Sequence, residues 1–389
     1  MTEMVYGTVV SQPGEAVLPR WWRTVDKPTL LAVFALFAIG LLLGLAASPP
    51  LADRNGLAPF HYVQRQAMFG GMALSVMIIL SMCSPAQVRR LGSLLFLGAF
   101  IAVALLPILG TDFGKGATRW YSLGFASVQP SEFLKPGFIV FCAWLIAASH
   151  DINGPPGRTM SLIVAMTVVG FLAMQPDFGQ SALVLFAWAV MYFVGGASLV
   201  LVLCLFGATA LAGMVAYNSS EHFARRIDGF LSTEVDPRTQ LGYATDAIRE
   251  GGFFGVGVGE GSVKWSLPDA HTDFIIAVAA EEYGLLLVLL ILILYAAIAW
   301  RCLFRLMAER DIFVRLSGAG LTLLFTAQAL INMGVAVRLL PAKGMTLPFV
   351  SYGGSSLIAS GIVLGFLLAL TRTRPRGQIE DILGGRGAR

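Results

Sequence analysis

The chain has 389 residues, of which 56% are hydrophobic and only 13% are charged, and its mean hydropathy is +0.75. This composition excludes a water-soluble globular surface and leaves the lipid bilayer as the main solvent. The net charge of +4 falls mainly in predicted cytoplasmic loops, so we expect no nucleic-acid partner.

The N-terminal segment, residues 1–28, is polar and carries Arg20, Arg23 and Lys27 near its end. The apolar run that follows, residues 30–47, is too long for the apolar core of a cleaved signal peptide and lacks a small-residue cleavage pattern. We therefore predict a cytoplasmic tail that leads into a retained membrane anchor.

Apolar runs long enough to cross a hydrocarbon core of roughly 30 Å recur along the rest of the chain. We predict an all-α, multi-pass membrane protein whose domain, residues 29–371, contains about ten transmembrane helices. The predicted spans are 29–48, 62–82, 91–109, 131–149, 160–175, 178–195, 197–217, 272–300, 312–337 and 347–371. Arginines concentrate in alternate connections and in the tail 372–389, which places both termini in the cytoplasm.

The longest connection, residues 218–270, is predicted to lie outside the cell membrane. It contains an amphipathic stretch, 240–250, and a glycine-rich run, 251–261. The run lacks the Gly-Lys-Ser/Thr ending of a P-loop and the strand of a dinucleotide-binding fold, so we expect no nucleotide. Two alternatives are loop flexibility and backbone amides that approach a lipid pyrophosphate.

Charged side chains at membrane depth cost roughly 2.5–3.5 kcal/mol on insertion scales, so each needs a partner, a watery cavity or a helix-end position. In this chain they gather in segments predicted to lie near the outer face. The candidate site residues of this kind are Arg119, Glu132, Lys135, Asp177, Asp273, Arg338 and Lys343.

Glu132 and Lys135 stand three residues apart in the sequence QPSEFLKP, where Pro130 is typical of a helix start. They share one helical face and can neutralise each other. The spacing therefore predicts either an ion pair that only fixes packing or a cationic, hydrogen-bonding floor for an anionic headgroup. Asp177, in the turn QPDFGQ, is predicted either to cap the next helix or to join the same site.

Asp273 lies in the sequence PDAHTDF at the start of the eighth predicted span, with Ala277 and Glu281 on the same helical face. A carboxylate at this boundary stays ionised yet partly desolvated, which suits a general base. The alternative is that Thr272 or Asp273 only begins the helix. His271, next to them, is a candidate hydrogen-bonding contact to substrate.

Residues 340–356 contain two prolines and three glycines at predicted membrane depth. Irregular backbone is tolerated there only where it is buried in protein or lines a cavity. We therefore predict that this segment forms one wall of the site and contributes Lys343 and Ser351.

Together these segments resemble the SEDS family (shape, elongation, division and sporulation), whose members include FtsW and RodA. The matching stretches are GATRW, QPSEFLK, QPDFGQ, RRI, GEGSVK, LPDAHTDFIIAVAAEEYG and LLPAKGMTLPFVSYGGSS. They extend from about residue 110 to 370 and are specific in combination. Lys343-Gly344 ahead of PFVSY, and the PDAH sequence, resemble the FtsW branch more than the RodA branch.

The resemblance implies a ten-helix fold and polymerisation of lipid II, an undecaprenyl-pyrophosphate-linked disaccharide pentapeptide, at the periplasmic face of the bacterial inner membrane. It implies that Asp273 is the essential acid, which we assign as the base that activates the acceptor hydroxyl. It also implies functional roles for Arg119, Glu132, Lys135 and Asp177. The implied partners are a class B penicillin-binding protein, which supplies transpeptidase activity, and other division proteins of the membrane.

A pyrophosphate leaving group requires cations, and the chain offers several on the predicted outer side. These are Arg119, Lys135, Arg338 and Lys343. A divalent cation, Mg²⁺ or Mn²⁺, on Asp273 or Asp177 could assist, although no residue spacing requires one.

Two other functions remain open at the level of sequence. Polar residues that face a cavity between helices would also serve a lipid II flippase, and a noncatalytic scaffold for division proteins is a third interpretation. Clustering of the charges at the outer end, without a comparable polar path to the cytoplasm, favours surface chemistry over translocation.

Overall fold

The computed structural model describes residues 16–112, 118–124, 126–219, 221–231, 239–267, 269–341 and 344–373. Within these ranges nearly all of the regular secondary structure is helical. The helices are α1 (Val17–Thr24), α2 (Lys27–Arg54), α3 (His61–Ser81), α4 (Pro85–Leu109), α5 (Pro130–Ala148), α6 (Gly157–Met174), α7 (Phe178–Val194), α8 (Leu199–Ser219), α9 (Glu221–Leu231), α10 (Gln240–Gly251), α11 (Ile275–Met307), α12 (Ile312–Ala336) and α13 (Gly354–Thr371). A 3₁₀ turn at Val263–Trp265 and a two-stranded antiparallel pair, β1 (Tyr121–Ser122) with β2 (Ser127–Val128), complete the described elements.

Eight described helices, α2 to α6 and α11 to α13, are long and apolar enough to span a membrane. Two shorter apolar helices, α7 and the stretch Val202–Val215 within α8, accompany them. The predicted all-α, multi-pass architecture is confirmed, and each of the ten predicted spans overlaps one of these helices. The number of crossings and the cytoplasmic position of both termini stay predictions.

The centre of the bundle consists of α5, α12 and α13, which bury most of their side chains. Close contact between helices depends on small residues at the crossing points. A Cβ at Gly137 of α5 would lie 2.5 Å from the Phe96 nitrogen of α4, and one at Gly361 of α13 would lie 2.4 Å from the Ala73 oxygen of α3. Because these central helices are enclosed, any charge on them must find its partner inside the protein.

Helix α11 is interrupted at Gly284, whose φ of 75° and ψ of −173° are not helical. The interruption frees the carbonyls of Glu281 and Glu282, which accept the N–H groups of Val256 and Gly257 at 2.8 and 3.2 Å. Two amides of the glycine-rich run are thus already bonded within the protein. That geometry favours a fixed loop over a flexible one.

Several boundaries differ from the predicted ones. Helix α13 begins at Gly354 rather than at 347, because Pro348 and the left-handed backbone of Phe349 (φ 64°) keep the preceding segment irregular. The long connection 218–270 contains α9 and α10, and α10 coincides with the amphipathic stretch predicted at 240–250. The polar N-terminal tail contains the short helix α1.

At one end of the bundle, a buried carboxylate joins several helix ends. Asp26, which precedes α2 and is 2% exposed, lies 2.7 Å from Arg301 Nη2 and 2.9 Å from Arg305 Nη2, both near the end of α11. Arg305 also donates to the Thr371 carbonyl at the end of α13, at 2.9 Å. We call this group the Asp26 clasp; the candidate site described next lies at the other end, which we call the site end.

Candidate active site

The floor of the site end is a buried ion pair on the first two turns of α5. Lys135 Nζ lies 2.9 Å from Glu132 Oε2, and the two side chains are only 3% and 6% exposed. Gln180 of α7 donates to the other Glu132 oxygen at 2.7 Å, and Lys135 donates to Gln328 Oε1 of α12 at 2.8 Å. The predicted pairing is confirmed, and both charges lie beneath the surface of the site.

Arg119 and Asp177 meet at the turn between α6 and α7. The Arg119 guanidinium donates to the carbonyls of Gln175 and Pro176 at 2.9 and 2.6 Å, which fixes the turn that carries Asp177. Asp177 is the N-cap of α7 and accepts the Gln180 N–H at 3.5 Å, so the predicted capping role is confirmed. Burial raises the pKa of the Asp177 carboxyl, while the charge of Arg119 acts in the opposite direction.

Asp273 lies in the turn before α11 and is partly exposed. The first helical residue is Ile275 and the N-cap is Phe274, so neither Thr272 nor Asp273 caps the helix. The prediction that Asp273 shares a helical face with Ala277 and Glu281 is therefore wrong, because the helix begins after Asp273. The Asp273 side chain therefore extends from the turn that leads into α11 and not from the helix itself.

Glu281, which the sequence predicted on the helical face of Asp273, instead bonds the end of the long connection. It is fully buried and accepts the N–H groups of Val263 and Lys264 at 2.7 and 3.3 Å. Lys264 in turn forms a buried ion pair with Glu282. These contacts hold the end of the long connection against α11.

The backbone around Asp273 is held by the irregular segment 344–353. Tyr352 N–H donates to the His271 carbonyl at 2.9 Å, and the Ser351 hydroxyl donates to the Thr272 carbonyl. Ser351 is 1% exposed and also accepts the Leu347 N–H at 2.9 Å. Ser351, a predicted substrate contact, is thus placed where it fixes the loop that carries Asp273.

Two amide side chains of α12, which the sequence reasoning missed, complete this arrangement. Asn332 is 2% exposed and donates to the carbonyls of Asp273 and Met345 at 2.9 and 2.6 Å. One turn earlier, Gln328 donates to the Thr346 carbonyl at 3.1 Å. The sequence did contain a sign of them, because two amide side chains stand four residues apart in an apolar helix. Polar groups in a membrane-spanning helix need partners, so this spacing predicts a shared contact. We call Gln328 and Asn332 the amide clamp.

The amide clamp connects the two halves of the site. Gln328 also accepts from Lys135, whose partner Glu132 is bonded to α7. Buried polar contacts therefore link α7, α5 and Gln328 of α12, and Asn332, one turn further along α12, bonds the Asp273 carbonyl. Buried networks of this kind favour one fixed arrangement, because each unpaired member would carry a desolvation penalty.

Of the two remaining predicted cations, Arg338 lies within the part of the chain that the structure describes. Arg338 follows the end of α12, is half-buried and has a left-handed backbone with φ of 58°. Lys343 lies outside the described residues. Gly344, the next residue, comes close enough that an added Cβ would lie 3.6 Å from Asp273 Oδ2.

The described residues include no group of three or more His, Cys, Asp or Glu side chains that could together hold a metal ion. Asp177 is buried and its carboxyl has a raised pKa, which weakens it as a metal ligand. Asp273 is partly exposed, so a cation there could be bound by its carboxylate together with oxygens of a bound phosphate.

A sequence model of the FtsW/RodA/SpoVE family, described as cell cycle proteins, matches residues 27–375. This chain belongs to that family. A probable peptidoglycan glycosyltransferase FtsW of Caulobacter vibrioides is 41% identical over 357 residues, which are 91% of each chain. A protein of the same description from Alkalilimnicola ehrlichii is 38% identical, over 92% of this chain and 95% of its own. The resemblance found in the motifs is thereby confirmed.

Solved structures agree with this placement. A chain from a structure described as a peptidoglycan synthase complex that coordinates polymerization and crosslinking is 27% identical, with a TM-score of 0.72 over 89% of this chain and 97% of its own. The rod shape determining protein RodA of Thermus thermophilus is 26% identical, with a TM-score of 0.66 over 90% of this chain and 97% of its own. The fold is therefore shared along almost the whole family domain.

Proposed function

We propose that this protein is a peptidoglycan glycosyltransferase that polymerises lipid II at the periplasmic face of the bacterial inner membrane, in septal wall synthesis. The observation that carries the proposal is the position of Asp273, a partly exposed residue in a loop whose backbone is fixed by Asn332 and Ser351. Catalytic groups need this kind of fixed position on rigid supports, because small misplacements reduce the rate strongly.

In the proposed reaction, Asp273 takes the proton from the 4-hydroxyl of the acceptor sugar. The acceptor oxygen then bonds to the anomeric carbon of the donor, and the bond from that carbon to the pyrophosphate oxygen breaks. The electron pair leaves with the polyprenyl pyrophosphate, and the proton passes from Asp273 to water. Positive charge from Arg119, Arg338 and Lys343 would stabilise the departing pyrophosphate.

A divalent cation fits this site only with help from the substrate. Asp273 would hold Mg²⁺ or Mn²⁺ together with pyrophosphate oxygens, in preference to the buried Asp177. The ion would supply additional charge neutralisation for the leaving group. Loss of polymerase activity in EDTA, with recovery on addition of Mg²⁺ or Mn²⁺, is the expected result.

The proposed partners are lipid II as substrate, a class B penicillin-binding protein that crosslinks the new strands, and other membrane proteins of the division machinery. Support comes from the similar chain in a structure that is described as a complex for polymerization and crosslinking. A crosslinking enzyme held beside the polymerase would meet each new strand at a high effective concentration.

The test uses purified full-length protein in detergent with its penicillin-binding protein and lipid II, where no membrane has to be crossed. Wild type is expected to form glycan polymer, and Asp273→Asn to lose at least about 100-fold in rate, a typical loss for a general base. Asp151→Asn, an exposed carboxylate in the connection between α5 and α6, is the matched control. A correctly folded Asp273→Asn protein that polymerises normally would refute the catalytic assignment. Lipid II exchange in vesicles without polymer would favour a flippase.

A further inference from the structure

Three aromatic side chains from three separate segments meet beside Asp273. They are Tyr62 in the first turn of α3, His271 in the turn before α11, and Tyr352 just before α13. Ring centroids lie 5.3 Å apart for Tyr62 and His271, 5.6 Å for His271 and Tyr352, and 5.7 Å for Tyr62 and Tyr352. We call these three rings the aromatic platform.

The platform is held in register with Asp273 by backbone contacts. Tyr352 N–H bonds the carbonyl of His271, which is two residues from Asp273. On the third side, the buried Gln66 of α3 donates to the Val350 carbonyl at 2.9 Å and ties the start of α3 to the same segment. The backbone segments that carry the three rings therefore cannot move away from the loop of Asp273 without breaking these bonds.

The three rings differ from the aromatic residues of the core. Tyr62, His271 and Tyr352 are each partly exposed, whereas Tyr295 and Phe349 are fully buried. A cluster of polar aromatic rings that keeps surface beside a candidate base is typical of a ligand contact, since a packing cluster would bury its rings.

Two hydrogen-bonding side chains contact the hydroxyl groups of the platform tyrosines. Asn55 Nδ2 donates to the Tyr62 hydroxyl at 2.8 Å, and Arg65, one turn further along α3, hydrogen-bonds to Tyr352. Apolar ring faces with polar groups at the edge match one chemical class well. A pyranose ring presents C–H bonds on its face and hydroxyl groups around its rim.

We propose that the aromatic platform binds the pyranose ring of the acceptor, the sugar whose hydroxyl Asp273 deprotonates. The identity of that sugar as part of lipid-linked glycan rests on the proposed function. Stacking one face of the ring on Tyr62 or Tyr352 would orient its hydroxyl toward the carboxylate and leave the opposite side open to the donor. The platform would thus determine the affinity for the acceptor, and Asp273 would determine the rate of the chemical step.

The kinetic test compares Tyr352→Leu with Tyr352→Phe in the polymerase assay with the penicillin-binding protein present. Leucine removes the ring, and we expect KM for lipid II to rise about tenfold, the loss typical of one aromatic contact, with a smaller change in kcat. Phenylalanine keeps the ring and should recover most of that loss. Tyr217→Leu, an exposed tyrosine on α8, is the matched control and should behave as wild type.

A second variant and a direct binding measurement separate the possible failures. Tyr62→Leu repeats the test on α3 in case Tyr352→Leu does not fold, as judged by its melting temperature. Saturation-transfer NMR with the soluble disaccharide pentapeptide should show contact to the sugar ring protons in wild type and its loss in either leucine variant. Unchanged KM and unchanged sugar contacts in both leucine variants would overturn the platform. Sugar contacts without any polymer from wild type would instead overturn the proposed function.

Discussion

Glu132 and Lys135 illustrate the cost of charge inside this protein. Each is almost fully buried, and each has a second polar partner besides the other. An ion pair of this kind contributes little net stability against an apolar replacement, yet it is expensive to break, because removal of one member leaves the other charged and enclosed. The ion pair therefore contributes mainly by fixing how α5, α7 and α12 pack against one another.

Lys135→Met is expected to lower the free energy of unfolding by about 3–5 kcal/mol, since Glu132 is left without its cation. The double variant Glu132→Gln with Lys135→Met should be less destabilised than this single variant. Melting temperatures of the wild type, the single variant and the double variant, purified in the same detergent, measure the two losses of stability. Equal losses in the single and double variants would show that the charge left behind is not the cause.

For individual residues, the sequence predicted those contacts whose two partners are close along the chain. The Glu132–Lys135 pair follows directly from a spacing of three residues in a helix. The role of Asn332 could not be derived, because its carbonyl partners belong to Asp273 and Met345 and depend on how three segments pack. Ser351 was selected for its motif, but its contacts show that it supports the loop of Asp273.

Among the elements, α11 depends most on a single residue. Gly284 has a left-handed backbone, and a Cβ there would lie 2.3 Å from the Phe253 carbonyl oxygen. This backbone interrupts the helix and leaves the carbonyls of Glu281 and Glu282 free of helical hydrogen bonds. They accept N–H groups of the glycine-rich loop instead. In an uninterrupted α11 these two carbonyls would bond within the helix, and the loop would lose its hydrogen bonds from Val256 and Gly257.

Gly284→Ala is expected to destabilise the protein by about 2 kcal/mol, through backbone strain and the clash with Phe253. Gly71→Ala is the control, since Gly71 lies in α3 with open space around its Cα and should tolerate or slightly favour the change. Thermal unfolding of the two variants gives the comparison. A Gly284→Ala protein as stable as Gly71→Ala would contradict the importance of the interruption.

Hydropathy located the elements well but not their ends. The apolar runs predicted every long helix, because burial in lipid leaves a strong pattern in sequence. The starts of α11 and α13 were placed too early, since charged and irregular residues at the site end are stabilised by contacts that only the folded protein provides. The sequence thus predicts the bundle, while the geometry of the site depends on where helices stop.

Across the whole molecule, the Asp26 clasp holds together the end remote from the site. Burial alone would raise the pKa of Asp26, but hydrogen bonds from Arg301 and Thr29 and the charges of Arg305 and Arg301 outweigh it, so the pKa lies below its ordinary value of 3.8. A carboxyl with a lowered pKa stabilises the fold at pH above its unfolded value, and that contribution is lost as pH falls through the folded value.

Asp26→Asn should therefore lower the melting temperature at pH 7, and the difference from wild type should shrink as pH falls below about 4. Melting curves of both proteins between pH 7 and pH 3 provide the measurement. The clasp would be refuted as an electrostatic contact if the difference were equally large at both ends of this range.

The loop that α11 receives at its interruption is attached through main-chain atoms. The bonds join the N–H groups of Val256 and Gly257 to α11, and the N–H of Leu285 to the Gly252 carbonyl. Apart from the glycines that such geometry requires, the side chains of this loop, including the exposed Phe253 and Phe254, take no part in the attachment. Its outward surface can therefore acquire new sequences during evolution, or by design, while the polymerase beneath it keeps its shape.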